Sequence, residues 1–274
     1  MARRWSLHSA PVAAVSALVG VLLTVVLMAP ARWLAHGLAV ATDGRLQLLN
    51  TRGTVWQGQA QLVLTGGPDS QDRAALPGNL AWQLRPTWLN PTDTTAPATL
   101  RGPALALSLN VPCCTPQGLQ LWLQPGWQGL AVAVAAHHSE WPTQWLAGLG
   151  APWNTLQLEA RLQLATPGLT LQLGPRGLEQ GQGGFTLDAL DAASRLSTLR
   201  PMGSYRLQWQ ADTTALTLST LNGALQLQGS GQWVAGRLRF EGHAQASPGR
   251  EEALANLMNL LGRRQGPRTL IKIG

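Results

Sequence analysis

From about residue 45 onward, apolar residues recur at every second position, a period that fits a β-strand with one buried face and no helix. The clearest run is Thr155 to Leu164, where Leu156, Leu158, Ala160, Leu162 and Leu164 alternate with Gln157, Glu159, Arg161 and Gln163. The same stripe is carried by Trp56, Gly58, Ala60, Leu62 and Leu64, by Leu105, Leu107 and Leu109, by Leu119, Leu121 and Leu123, by Leu169, Leu171 and Leu173, and by Tyr205, Leu207 and Trp209. Such strands, separated by Gly, Pro and Asn, predict a mainly β chain built as an antiparallel meander. Each strand has one apolar face, so the sheet must curl on itself, pair with a second sheet, or shelter an apolar ligand. Charged residues make up 12% of the chain, and Gln, Thr and Ser fill many wet positions, which suits strands better than surface helices.

A different pattern precedes the strands. Val12 to Ala31 carries no charge and has the length of a membrane crossing, with Arg3 and Arg4 on its N-terminal side and Trp5 and Trp33 flanking it. This predicts a single-pass inner-membrane protein with residues 1–11 cytoplasmic, a transmembrane helix at 12–31 and a periplasmic, β-rich domain at 32–274. The alternative is a cleaved signal peptide, since Ala29-Pro30-Ala31 and Ala39-Val40-Ala41 resemble processing sites; the apolar run exceeds an ordinary signal core and favours the anchor. No linker divides the exported part cleanly; two β lobes, about 45–124 and 155–246, are one arrangement its strands allow, although their likeness falls short of a repeat, and a C-terminal helix at 250–262 is expected to follow. In that helix Leu254, Leu257, Met258 and Leu261 share one side, Glu251 and Glu252 open it, and Gly262 stops it ahead of Arg263 and Arg264 at its negative pole. A short helix is expected after Trp141-Pro142, a final strand at Thr269 to Ile273, and loops at Gly66–Pro77 and Pro86–Pro97.

Chemistry-bearing groups are sparse. His137, His138 and Glu140 form one dense cluster, read as a solvated loop because adjacent histidines in an extended segment point apart. Gly181-Gln182-Gly183-Gly184 lacks the lysine of a phosphate cradle and reads as a turn. No catalytic residue, metal site or cofactor is expected. Cys113 and Cys114 are adjacent, and the alternatives are a vicinal disulfide or two free thiols. The net charge of +7 comes from arginines that mostly fall singly, which argues against a nucleic-acid surface. Of the 12 tryptophans, Trp56, Trp82 and Trp209 continue apolar stripes and are expected in the core; Trp122, Trp127, Trp141 and Trp145 are the candidates for a partner-facing patch.

Four stretches carry a resemblance. Gly53 to Ala60 (GTVWQGQA), Leu80 to Pro86 (LAWQLRP), Leu199 to Trp209 (LRPMGSYRLQW), and Leu257 to Arg264 (LMNLLGRR) with the ending Ile271 to Gly274, resemble the type II secretion system protein N family, also called general secretion pathway protein N. The resemblance implies an accessory, non-catalytic inner-membrane component that helps export folded proteins across the outer membrane of Gram-negative bacteria. Its implied partners are inner-membrane platform proteins of the secretion apparatus and the outer-membrane secretin. A second reading comes from fold analogy: a Leu-lined sheet is also the kind of groove that AsmA-like periplasmic proteins use for lipid or another apolar chain.

Overall fold

In a computed structural model of the chain, the described residues are 9–90, 99–127, 129–175, 177–234 and 237–274, with side chains described from Ala14. The elements run α1 (Ser9–Leu27), α2 (Ala31–Ala41), β1 (Leu46–Gly53), β2 (Gln57–Thr65), β3 (Arg73–Ala75), β4 (Leu80–Leu89), β5 (Gly102–Asn110), β6 (Leu119–Gly126), β7 (Gly129–Val134) and β8 (His137–Pro142). A 3₁₀ helix (Thr143–Leu149) and α3 (Trp153–Leu156) follow. Then come β9 (Glu159–Gly174), β10 (Gly177–Ala193), β11 (Gly203–Gln210), β12 (Ala215–Gly223), β13 (Leu225–Val234), β14 (Arg237–Ala246), α4 (Glu251–Leu261), β15 (Arg263–Gln265) and β16 (Arg268–Ile273). The chain is thus mainly β with few helices, as the two-residue period requires.

Among the described residues all 16 strands join one sheet, in the order β1-β2-β4-β5-β6-β7-β9-β10-β11-β12-β13-β14-β16-β15, with β3 added to β2 and β8 to β9. Every pairing is antiparallel. The path is open, ending at β1 and β15. Strand β9 spans two partners, its first part lying on β8 (Arg161 to Thr166) and its second on β7 (Leu169 to Leu173), with Pro167-Gly168 at the changeover.

This meander gives the sheet two unlike ends. At one, β6 meets β7 at Gly126 and Gly129, β9 meets β10 at Gly174 and Gly177, and β13 meets β14 at Val234 and Arg237. The β1–β2 turn and the end of β4 lie there too, because β1 and β4 run in the same sense as β6, β9 and β13. The opposite end is closed by the Val111–Thr115 turn, the 3₁₀ helix, α3, the Ser194–Met202 connection and α4.

Packing is concentrated in three clusters. One joins α4, through Leu254, Leu257 and Met258, to Leu156, Tyr205, Leu225 and Ala244. A second seats α2 on the sheet through Ala31, beside Leu48, Ala60, Leu80 and Trp82, with Cys114 at its margin. The third gathers Trp122 with Ala104, Ala131 and Ala133. The accessible surface is 17144 Å², against about 11,500 Å² for a compact monomer of this mass. A sheet without a second full layer and an exposed α1 both contribute to the excess.

Several expectations are corrected. The segment 12–31 is not one continuous helix: α1 stops at Leu27 and α2 starts at Ala31. Pro30 is the reason, since proline disfavours helix in the residue before it and is at home at a helix start. Among the described residues no helix is long and apolar enough to cross a membrane. Residues 1–8, with Arg3, Arg4 and Trp5, lie outside the described residues. Thr155 and Leu156 belong to α3, and the strand that follows begins at Glu159. Gly181 to Gly184 is no turn but the middle of β10, where a β-carbon at Gly183 would run into the Gly168 carbonyl of β9. Glycine there lets two long strands approach at their bend. Pro86 lies inside β4 and Arg73–Ala75 form β3, so the two expected loops are shorter; positions 91–97 of the second lie outside the described residues. Arg263 and Arg264 lie in β15.

Candidate interaction surfaces

The largest feature is the apolar side of the sheet. Rows of directly opposed residues cross it from strand to strand: Pro86, Leu105, Leu123, Val132, Leu171 and Gly181 on β4 to β10, and Leu187, Leu207, Leu218, Gly229, Gly242 and Ile271 on β10 to β16. With strands about 4.8 Å apart, each five-step row extends roughly 24 Å. Helix α2 covers this face at one margin and α4 covers the closed end. Between them Leu105, Leu121, Leu123, Val132 and Leu171 are half-buried and belong to none of the three clusters. Near the C-terminal half Phe185 and Trp209, directly opposed on β10 and β11, hold their rings 5.6 Å apart. Burial pushes the Tyr205 hydroxyl up from its ordinary range, and it donates to the Leu225 carbonyl at 3.1 Å.

The four tryptophans singled out in the sequence go to three different places. Trp122 is 7% exposed and lies on the opposite side of the sheet from its leucine neighbours, among alanines 104, 131 and 133, whose small side chains leave room for the indole. Trp127 stands fully exposed after β6. Trp141 and Trp145 stack at 5.6 Å and lean on the cluster under α2. The Trp141 Nε1 donates to Ser139, whereas Trp145 Nε1 is buried with no hydrogen-bond partner among the described residues. Of the three expected core tryptophans, Trp82 is buried and donates from Nε1 to the Thr54 and Val55 carbonyls; Trp56 and Trp209 are half-buried. What sequence reasoning missed is a second exposed set, Trp88 and Trp233, each at the end of a strand.

Cys113 and Cys114 are bonded to each other in the turn after β5. Cys114 is buried against the α2 cluster while Cys113 is exposed. Thr115 closes the same turn, its hydroxyl accepting from the Val111 amide at 2.8 Å, and the Cys114 carbonyl accepts from the Glu140 amide. The neighbouring histidines are not in a loop: His137 to Glu140 form most of β8, paired with β9. Period two turns His138 and Glu140 outward and Ser139 inward, and Glu140 accepts from Gln163 at 2.7 Å. Desolvation, reinforced by His138, holds the His137 imidazole below its usual pKa and favours the neutral ring. Among the described residues no three metal-ligating side chains converge.

A polar cavity of about 590 Å³ lies beside the 3₁₀ helix and α3, lined by Asp72, Arg73, Trp153, Asn154, Glu159 and Arg195 among others. Its acids already have partners: Asp72 accepts from Asn154 at 3.1 Å, and Glu159 pairs with Arg200. Across β10 and β11, Arg206 grips Asp188 through two 2.7 Å bonds, a cross-strand pair whose guanidinium is held above its usual pKa by the carboxylate.

These features define an open, one-layer antiparallel scaffold, capped at one end and apolar along one side. Residues 44–270 match the family model described as type II secretion system (T2SS), protein N, and the chain belongs to that family. It is therefore an accessory component of type II secretion and a protein of the cell envelope; the family is not known for an enzymatic activity. No curated protein and no solved structure matches the chain.

Proposed function

We propose that this chain is a non-catalytic interaction module, held to the inner membrane by α1 with its sheet in the periplasm, that links platform proteins of the type II apparatus to the outer-membrane secretin. The observation that carries it is the open sheet. Its path ends in β1, eight residues long and paired with β2, and in β15, three exposed residues that include Arg263 and Arg264. A short, charged edge discourages pairing, whereas a longer one offers main-chain hydrogen bonds to an added strand. β1 is thus the docking rail. The anchor reading is supported by the charge-free sequence of α1 and by its exposed apolar side chains Leu18, Val21, Leu22 and Leu27. Its cytoplasmic start rests on Arg3 and Arg4. In this reading 1–11 is cytoplasmic, and the lobes at about 45–124 and 155–246 are successive parts of the periplasmic sheet.

The half-buried leucine rows favour a second reading, an apolar groove that takes a lipid chain. One experiment separates the two. Photo-crosslinkers are placed in living cells at Leu49, exposed on β1, and at Leu123 on the apolar face. Adducts from Leu49 to a secretion platform protein or the secretin are expected. Phospholipid adducts from Leu123 with none to secretion proteins from Leu49 would replace the first reading with the second.

A further inference from the structure

Five tryptophans among the described residues are exposed: Trp33, Trp88, Trp127, Trp153 and Trp233. Single surface tryptophans are ordinary, but four of these share one end of the sheet. Trp88 (66% exposed) is next to last in β4, Trp127 (107%) follows β6, and Trp233 (48%) precedes the last residue of β13, beside exposed Val234. Strands β4, β6 and β13 run in one sense, so these residues lie on one rim. Trp33 joins them from the first turn of α2, its amide bonded to the Pro30 carbonyl, and Pro30 bridges to Thr54 in the β1–β2 turn at that same end.

Helix α1 leaves from this rim as well. The Val26 carbonyl accepts from Trp56 Nε1 at 2.7 Å and the Ala29 carbonyl from the Val55 amide at 2.8 Å, so the end of α1 is tied to the β1–β2 turn. Beyond that tie, the described side chains of α1 are exposed. Helix α2 lies over the face of the sheet at β1.

We propose that this rim rests on the bilayer surface, with Trp33, Trp88, Trp127 and Trp233 seated among the lipid headgroups. The inference rests on the anchor reading of α1 and adds to it a second, peripheral contact. An indole has an apolar body and an N–H donor, which is why tryptophan collects where hydrocarbon gives way to water. A stalk attached at one corner leaves a sheet free to swing; four indoles along the rim fix it upright, with the capped end and Trp153 facing away from the membrane. The partner is lipid because the rim is continuous with the proposed span.

The test uses the full chain in phosphatidylethanolamine–phosphatidylglycerol vesicles. Cys113 and Cys114 are bonded to each other and no described cysteine is free, so a single introduced cysteine takes the label. A polarity-sensitive dye goes on Trp88→Cys, Trp127→Cys or Trp233→Cys at the rim, and on Thr198→Cys, exposed at the capped end. The rim dyes should shift to the blue and be quenched several-fold more than the Thr198 dye by lipids spin-labelled near the headgroup. Rim dyes as wet and unquenched as the Thr198 dye, on protein that floats with the vesicles, would overturn the docking and leave the anchor intact. Blue-shifted dyes that lipid quenchers do not reach would mean contact with a second copy and would also overturn it. Protein that fails to float would remove the anchor and the docking together.

Discussion

Leu254→Asp should collapse the C-terminal half of the sheet. Leu254 is fully buried between α4 and the strands, alongside Leu257, Met258, Leu225 and Ala244. Truncating such a leucine costs about 2 to 5 kcal/mol, and placing a carboxylate there adds desolvation with no partner, for a total of more than about 5 kcal/mol. Ordinary domain stability is about 5 to 15 kcal/mol, so a domain in the lower part of that range does not keep its fold against such a loss. Leu260→Asp on the same helix is the control. Leu260 is 42% exposed, so its replacement should cost less than about 1 kcal/mol. Urea titration of the full chain in detergent micelles reads both. Equal effects from the two substitutions would show that α4 does not pack as described.

The second large effect lies at the other margin of the sheet. Trp82→Ala should destabilise the N-terminal strands by about 3 to 5 kcal/mol. The indole is 3% exposed, sits over Gly58 on β2, where a β-carbon would strike the ring, and ties the β1–β2 turn through its two Nε1 hydrogen bonds. Hydrogen exchange at Thr54 to Gly58 should accelerate in the variant while amides of β12 to β14 keep their protection. Uniform acceleration across all strands would instead mean that the sheet unfolds as one cooperative unit.

Trp82 also illustrates what the sequence makes legible. It stands in register with Leu80 and Leu84, so the two-residue period alone assigns it to the apolar side. The same period finds most strands and the leucine rows, because the pleat forces alternate side chains onto one face. Where a second constraint overrides the pattern, the reading fails. The glycines at 181 to 184 look like a turn, yet Gly183 serves the close approach of β10 to β9, and Gly184 its close approach to β11. His137 to Glu140 look like a polar loop, but β9 is long enough to pair with both β7 and β8 and draws them into the sheet. Pro30 divides an apolar run that composition alone presents as one segment. Trp122 is the subtler case. Its position opposite the leucines is visible in the sequence, while the floor of alanines that buries it depends on which strands lie beside β6. The rim tryptophans are hidden for the same reason: Trp88, Trp127 and Trp233 are 39 or more positions apart in sequence and become neighbours in level only when a meander turns at the same end each time.

Export itself measures most directly whether this sheet serves protein secretion. In a bacterium whose type II apparatus includes this subunit, loss of the chain should leave a folded type II substrate in the periplasm. The intact chain should restore its appearance in the medium, and the Leu254→Asp variant should not. Undiminished secretion in the absence of the chain would contradict the account.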